Sequence, residues 1–155
     1  MKYGRAYVRI YTDGSCRDNE GGWSYAMFHK QHSKFGCGSE KETTNNAMEL
    51  TAVIEALKTL IVPCEVNLYC DSKYVLDGMN YMYGWAKKNW KTSEGKNVAN
   101  RELWETLYNI VRESKHRIHK HWVRGHSGNI NNETCDSLAK WARDNYEFVK
   151  SHDVQ

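Results

Sequence analysis

The amino-acid sequence predicts an α/β fold in which helices pack on a mixed five-stranded sheet. Three strand-like segments come first and are joined by short polar connections, a pattern typical of an antiparallel meander. The apolar period then changes from alternation to helical spacing after residue 46. Helical segments separate the later strands, which indicates that those strands pair in parallel.

The three strands of the meander are expected at residues 5–12, 22–30 and 34–42. The first strand alternates apolar with polar residues, and a polar turn separates the second from the third. Gly36 and Gly38 should make the third strand irregular, because glycine has no side chain to pack.

The later elements follow in the order helix, strand, helix, helix, strand, helix. Pro63 breaks the chain after the first helix, and Ser72 can cap the second. A basic, tryptophan-rich segment without regular periodicity, residues 83–98, interrupts the series. The elements are expected at residues 47–61, 65–70, 72–82, 103–111, 117–123 and 135–149.

Length and composition favour one domain over residues 1–155, in a soluble, cytoplasmic protein. The chain is 40% hydrophobic and contains 6 Trp, 10 Tyr and 3 Phe, enough for a sizeable core. No stretch approaches the roughly 20 apolar residues that span a bilayer, and the N-terminus has no secretory pattern. Five cysteines without a C-x-x-C pair favour reduced thiols. We expect a monomer that binds no membrane.

Positive charge is concentrated in two segments, although the formal net charge is only +3. Residues 85–101 contain five Lys or Arg and one Glu, and residues 112–124 contain five Lys or Arg, one Glu and three His. Local basic patches on a modestly charged protein suggest a polyanionic partner.

Four carboxylates are candidates for a shared metal site: Asp13, Glu49, Asp71 and Asp136. Asp13 and Asp71 follow strand patterns, and ligands gather beyond the carboxyl ends of neighbouring parallel strands. Glu49 and Asp136 come from helix starts that can point to the same place. Like charges repel unless they are neutralised, and hard divalent cations prefer carboxylate oxygens. On a chain with basic patches, the set suggests metal-assisted attack on a phosphodiester.

Each carboxylate also has a simple structural explanation. Asp13 can begin a turn, and Asp71 can cap the helix that follows it. Glu49 fits a capping box with Asn46, and Asp136 can favour the positive end of a helix. Taken singly, these explanations are the better ones, whereas the combination of four favours a metal site.

Four motifs closely resemble those of type 1 ribonuclease H, especially its bacterial form, in order and spacing. The resemblance runs from about Arg5 to Trp141. The motifs are Thr12-Asp13-Gly14-Ser15-Cys16, Thr44-Asn45-Asn46-Ala47-Met48-Glu49-Leu50, Cys70-Asp71-Ser72-Lys73-Tyr74-Val75, and Val123-Arg124-Gly125-His126-Ser127-Gly128 with Asn132-Glu133-Thr134-Cys135-Asp136. The resemblance implies a ribonuclease H-like fold. It also implies cleavage of the RNA strand of RNA/DNA hybrids with two Mg²⁺ ions, for which Mn²⁺ can substitute.

The resemblance also implies residue roles. It assigns metal binding to Asp13, Glu49, Asp71 and Asp136. His126 would assist proton transfer or product release, the alternative being a histidine satisfied by solvent. Contacts with the RNA strand are assigned to Cys16, Asn19, Asn45 and Asn46, and a DNA phosphate contact to Thr44. Amides that donate and accept can recognise the 2′-hydroxyl that separates RNA from DNA.

Residues 83–98 resemble the basic protrusion of that family, a handle for the DNA strand. Interleaved cations and indoles suit contacts with phosphate and sugar. The alternative is a solvated amphipathic segment, and we expect the tryptophans to lie partly in the core with the lysines outside. The candidate residues are Trp85, Lys87, Lys88, Trp90 and Lys91.

Three alternatives are less well supported by the sequence. A zinc site at His116, His119 and His121 lacks thiolate spacing, and only two of these residues share a strand face. A non-catalytic hybrid-binding module gains nothing from carboxylates that repel phosphates. An integrase or resolvase on the same fold is disfavoured by the basic protrusion and by the Asn45-Asn46 pair.

Overall fold

The computed structural model describes residues 5–125 and 128–152 of the chain. Its strands are β1 (Ala6–Arg17), β2 (Glu20–His29), β3 (His32–Lys41), β4 (Cys64–Cys70) and β5 (Arg117–Trp122). They form a mixed five-stranded sheet in the order β3-β2-β1-β4-β5. The first three strands are an antiparallel meander, whereas β1 pairs with β4 and β4 with β5 in parallel. The predicted α/β fold class is confirmed.

The helices of the described residues follow from local capping and from apolar spacing. They are α1 (Asn45–Lys58), α2 (Lys73–Lys87), α3 (Arg101–Ser114), α4 (Ile130–Asp144) and α5 (Tyr146–Ser151). The Thr44 hydroxyl accepts the Ala47 N–H at the start of α1, and the Ser72 hydroxyl accepts the Val75 N–H at the start of α2. In residues 5–125 and 128–152, no helix is long and apolar enough to cross a membrane.

Different helices cover the two faces of the sheet. Ile10 of β1 lies in the main core with Leu50 of α1 and Trp104 of α3. Tyr11 points to the opposite face because side chains alternate along a strand, and there it packs with Cys135 of α4. The α4 helix lies across β1, β2 and β3.

Two buried serines attach α4 to the sheet. The Ser24 hydroxyl of β2 donates to the Cys135 carbonyl at 2.6 Å. The Ser39 hydroxyl of β3 donates to the Ala142 carbonyl, farther along the same helix. These bonds fix the position of α4 along the strands.

The first strand continues to Arg17, and the expected turn at Asp13 is wrong. Asp13 is paired with Ser24 of β2, well inside the strand. The chain reverses instead at Asp18 and Asn19, both in left-handed conformations with φ of 55° and 63°. Two consecutive positive φ angles match the turn that a tight β-hairpin prefers.

The third strand is regular, contrary to expectation. It pairs with β2 in one uninterrupted register. A β-carbon at Gly36 would lie 2.4 Å from the ring of Tyr25, and one at Gly38 would lie 2.3 Å from the ring of Trp23. The two glycines therefore make room for aromatic neighbours without breaking the pairing.

Several helix boundaries differ from the predicted ones, and two of the differences have a cause in side-chain contacts. The α2 helix runs beyond residue 82 to Lys87, because Trp85 in its last turn packs edge-on against Trp104, with ring centroids 5.4 Å apart. The predicted final helix is two helices, separated at Asn145. The Asn145 side-chain amide donates to the Trp141 carbonyl at 2.8 Å and so satisfies the end of α4.

Candidate active site

Asp13 and Asp71 lie just beyond the parallel pairing of β1 with β4. That pairing ends at Tyr11 and Tyr69, two residues before each aspartate. Alternation along the strands therefore puts both carboxylates on the face that Tyr11 occupies. Asp13 is buried and Asp71 is half-buried. The adjacency of the first and fourth strands, on which the predicted meeting of these carboxylates depended, is present.

Glu49 reaches the same point from α1 because the helix and β1 nearly touch at Gly14. A β-carbon at Gly14 would lie 2.4 Å from the Glu49 amide nitrogen and 2.6 Å from the Met48 carbonyl carbon. The Gly14 N–H also donates to Asp13 Oδ1 at 2.9 Å. Any side chain at Gly14 would push α1, and with it Glu49, away from the two aspartates.

Asp136 approaches the cluster from α4, beside the buried Cys135. In addition to burial and the charge of Asp71, the negative charge of Asp136 contributes to the raised pKa of Asp13. The Lys140 ammonium lies 3.1 Å from Asp136 Oδ2, one helical turn away. Both members of this ion pair are partly exposed, so the pairing is weak and can be exchanged for another cation.

Burial and repulsion together keep protons on the inner carboxylates. Burial, followed by the charge of Asp71, raises the pKa of Asp13 to about 8. Burial, followed by the charge of Asp13, raises the pKa of Glu49 to about 10. Glu49 Oε1 is buried and finds no hydrogen-bond partner within residues 5–125 and 128–152. The fully ionised cluster is therefore unfavourable unless a cation joins it.

The donor set and its spacing fit a hard divalent cation. One oxygen from each of Asp13, Glu49 and Asp71 lies within 4.8 Å of the other two. Mg²⁺ bonds of about 2.0–2.1 Å place the oxygens around one ion at most about 4 Å apart, so the three side chains would have to close in around a single ion. An all-oxygen set suits Mg²⁺ or Mn²⁺ rather than zinc, which favours nitrogen and sulfur.

The residues assigned to the RNA strand converge where the β1–β2 hairpin meets the start of α1. Cys16 Sγ donates to the Thr43 carbonyl at 3.4 Å, and the Thr43 N–H donates to the Asn19 carbonyl at 3.0 Å. Thr44, rather than Asn46, is the N-cap of α1, so the capping-box explanation is wrong. The members of the set are Cys16, Asn19, Asn45 and Asn46, all exposed except the half-buried Cys16. Thr44, which was assigned to a DNA phosphate, is exposed beside them.

The basic protrusion combines exposed lysines with tryptophans that belong partly to the core. Lys87 and Lys88 are exposed at the end of α2. Trp85 is half-buried, and Trp90 is only 7% exposed. Lys91 is half-buried and donates to Asn97 Oδ1 at 2.8 Å. Lys87 and Lys88 are thus the cations of the predicted set that are most open to a polyanion.

His126 lies outside the described residues, so its role stays a prediction. Two histidines of the alternative zinc site have other partners. His119 Nε2 lies 2.6 Å from Glu65 Oε1, and His116 Nδ1 accepts the Cys64 N–H at 3.0 Å.

Three residues beside the carboxylates were not predicted from sequence. Gly14 sets the distance between β1 and α1, and Lys140 pairs with Asp136. The Trp122 indole donates to the Asp71 carbonyl at 3.3 Å and holds the end of β4. The spacing of four between Asp136 and Lys140 is a usable helical signal. The other two contacts join distant segments, for which a single sequence contains no local signal.

Comparisons with known proteins agree on one family. The family model described as RNase H matches residues 5–144. A ribonuclease H from Novosphingobium aromaticivorans is 49% identical over 136 residues, covering 86% of this chain and 94% of the relative. The crystal structure of LC9-RNase H1, described as a type 1 RNase H with the type 2 active-site motif, is 30% identical. Its TM-score is 0.81, and the match covers 93% of this chain and 75% of that one. The crystal structure of LC11-RNase H1 in complex with an RNA/DNA hybrid is 22% identical, with a TM-score of 0.67. The match covers 88% of this chain and 96% of that one, and it shows that the two share a fold.

Proposed function

This chain belongs to the ribonuclease H family, as its motifs suggested, and we propose that it hydrolyses the RNA strand of RNA/DNA hybrids with the help of two divalent metal ions. It is a nuclease of the hydrolase class. The observation that supports metal assistance best is the convergence of Asp13, Glu49 and Asp71, whose oxygens lie within 4.8 Å of one another. Mg²⁺ is the expected ion and Mn²⁺ its substitute.

The four carboxylates would hold the metal and orient the reacting groups. When bound, paired divalent ions activate the attacking water and stabilise the leaving 3′ oxygen. Asp13 and Glu49 are buried, and their raised pKa values favour exchanging protons for cations. The Asp136 carboxylate is more exposed and is paired with Lys140. A metal ion bound at Asp136 would therefore compete with the Lys140 ammonium group. His126 would assist proton transfer or product release.

The exposed amides at the start of α1 would bind the RNA strand beside this cluster. Asn45 and Asn46 can donate to and accept from 2′-hydroxyls. Cys16 and Asn19 are tied to Thr43 through its carbonyl and amide groups, so the hairpin and the helix would offer one continuous surface. Thr44 and the lysines of the protrusion would hold the DNA strand.

A cleavage assay tests this function directly. A labelled RNA/DNA hybrid, duplex RNA and duplex DNA are each incubated with the full chain, with Mg²⁺, with Mn²⁺ and with a chelator. We expect metal-dependent cutting of the RNA strand of the hybrid only. Hybrid binding without cutting in either metal would instead indicate a non-catalytic binding module, and cutting of duplex DNA would indicate an integrase-like or resolvase-like activity.

A further inference from the structure

One part of the sheet surface lies on the same face as Asp13 and Asp71 but outside the area that α4 covers. We call it the open face, and it is formed by side chains of β1, β4 and β5 together with Phe28. Tyr7 on this surface is 71% exposed, and Arg9 is also exposed. The residues that define the open face are Tyr7, Arg9, Phe28, Glu65, Asn67, Arg117 and His119.

A ladder of rings crosses all five strands beside this surface. Phe35 and Phe28 meet edge to face at 6.0 Å, as do Phe28 and Tyr11. Tyr11 then stacks on Tyr69 at 4.7 Å, and Tyr69 stacks on His121 at 4.6 Å. Tyr11 and Tyr69 each precede a cluster aspartate by two residues, so the ladder lies about 7 Å from the carboxylates along the strands.

A shallow cavity of about 320 Å³ opens on this face, next to the ladder. It is lined by Tyr7, Val8, Arg9, Phe28, Lys30 and Asn67. The Asn67 Oδ1 lies 2.9 Å from His121 Nε2, which leaves the amide nitrogen of Asn67 as its donor. The Arg9 guanidinium lies 4.9 Å from the centre of the Phe28 ring. Rings, an amide and cations in one cavity are the groups that bind a base and its phosphate together.

The charge of the open face also favours a polyanion. Arg9 and Arg117 are exposed there, and Lys30 is exposed beside it, at the cavity. The carboxylate of Glu65 is already paired with His119 at 2.6 Å. A peptide partner with the same fit would need both acidic and aromatic side chains, whereas any single strand of nucleic acid supplies phosphates and bases at every step.

We propose that the open face binds a single-stranded extension of the nucleic acid whose hybrid portion lies at the carboxylates. The proposal rests on the proposed function, because that function places the hybrid at Asp13. Arg9 and Tyr7 precede Asp13 on β1 by four and six residues, about 13 Å and 20 Å along the strand. Tyr11 lies between Arg9 and Asp13 and is buried under α4, so the strand would pass over the half-buried Tyr69 and His121 instead. A few nucleotides of a strand leaving the hybrid would then meet the cation first and the exposed ring next.

The test compares the affinities of blunt and extended hybrids. The full chain is titrated, in chelator, into a labelled 12-base-pair hybrid that is blunt or carries a six-nucleotide extension at one of its four strand ends, and anisotropy is recorded. We expect at least one extension to tighten binding about fivefold or more, the size of one base stacked on an aromatic ring. The four ends show whether RNA or DNA supplies the extension, and an abasic extension should lose most of the gain.

Two variants and a matched control decide the location. Tyr7→Ala and Arg9→Gln should each remove most of the gain, and Arg9→Gln should lower the slope of log affinity against log salt by about 0.7. Arg112→Gln is the control, because the Arg112 guanidinium also lies over an aromatic ring, that of Tyr108 at 5.5 Å, but on α3. If no extension tightens binding, or if the gain survives either open-face substitution, the proposal is wrong.

The same variants separate this proposal from the proposed function. Tyr7→Ala and Arg9→Gln should cut a blunt hybrid as fast as the natural chain does. Failure of the natural chain to cut any hybrid would overturn the proposed function, whereas the affinity comparison would still show whether the open face binds a single strand.

Discussion

The backbones of Gly14 and Glu49 are so close that a β-carbon on Gly14 would lie 2.4 Å from the Glu49 amide nitrogen. Gly14→Ala should therefore lower the free energy of unfolding by about 1–3 kcal/mol, as overpacking does. It should also weaken Mn²⁺ binding, because α1 must move away together with Glu49. Chemical denaturation and calorimetric titration measure the two effects.

Gly84→Ala is the matched control for this prediction. A β-carbon at Gly84 would meet nothing within 4 Å, and the residue lies inside α2. Alanine there should stabilise the chain by about 0.5–1 kcal/mol and leave the metal affinity unchanged. Equal effects of the two substitutions would show that the contact at Gly14 does not position Glu49.

Asp13→Asn should abolish cleavage and stabilise the metal-free protein at alkaline pH. Burial raises the pKa of Asp13 to about 8 in the folded protein, whereas an unfolded carboxyl titrates near about 4. Between these values the unfolded chain binds fewer protons, so the free energy of unfolding falls as the pH rises. Asparagine does not titrate. The gain in the free energy of unfolding over the natural chain should therefore grow from about pH 4 to about pH 8. Each kcal/mol of that gain should raise the Tm by about 2–4 °C.

Melting curves in chelator between pH 4 and pH 9 test this prediction. Asp18→Asn, at an exposed position of the hairpin turn, controls for the loss of a carboxylate. If the difference in Tm between Asp13→Asn and the natural chain is the same at every pH, Asp13 does not hold its proton in the folded state.

Lys140→Met should strengthen metal binding at Asp136. The Lys140 ammonium lies 3.1 Å from Asp136 Oδ2, and a cation at that carboxylate must displace it. A partly exposed pair contributes at most about 1 kcal/mol, so Mn²⁺ affinity should rise about twofold to fivefold. Calorimetric titration measures the gain, with Lys58→Met as control because Lys58 pairs with Glu55, outside the cluster. Unchanged or weaker binding in Lys140→Met would contradict competition at Asp136.

Lys87→Glu and Lys88→Glu should weaken hybrid binding and reduce its salt dependence. Both lysines are exposed at the end of α2. Each lost phosphate contact should lower the slope of log affinity against log salt by about one. Turnover at saturating hybrid should change much less. Lys34→Glu, at an exposed position of β3, is the control. If the protrusion variants have the same salt slope as Lys34→Glu, the protrusion is an ordinary solvated surface that does not contact the hybrid.

Cleavage should require several consecutive ribonucleotides. Asn45 and Asn46 are exposed side by side at the start of α1, so they can contact more than one 2′-hydroxyl. DNA strands with one to six embedded ribonucleotides, each paired with DNA, measure the requirement. Asn45→Ala should raise the KM more than it lowers kcat, and efficient cutting at a single embedded ribonucleotide would contradict this arrangement.

The sequence predicted the parts of the site that depend on strand order. Asp13 and Asp71 meet because β1 and β4 are parallel neighbours, which the intervening helices already indicated. The position of the hairpin turn could not be predicted in the same way. Asp-Gly at residues 13–14 is a strong local turn signal, but packing of Gly14 on α1 keeps the strand extended as far as Asp18. Local patterns describe turn preference, whereas this choice depends on a contact between distant segments.

The two serine bonds to α4 have a consequence for how the molecule opens. Ser24 and Ser39 donate to carbonyls at Cys135 and Ala142, so α4 cannot lift from the sheet without exposing buried hydroxyls and carbonyls. The helix should therefore unfold together with β2 and β3 as one cooperative unit, and its amide protons should exchange as slowly as theirs. Asp136 would then leave the carboxylate cluster only when the sheet itself unfolds, although the helix that carries it is partly exposed.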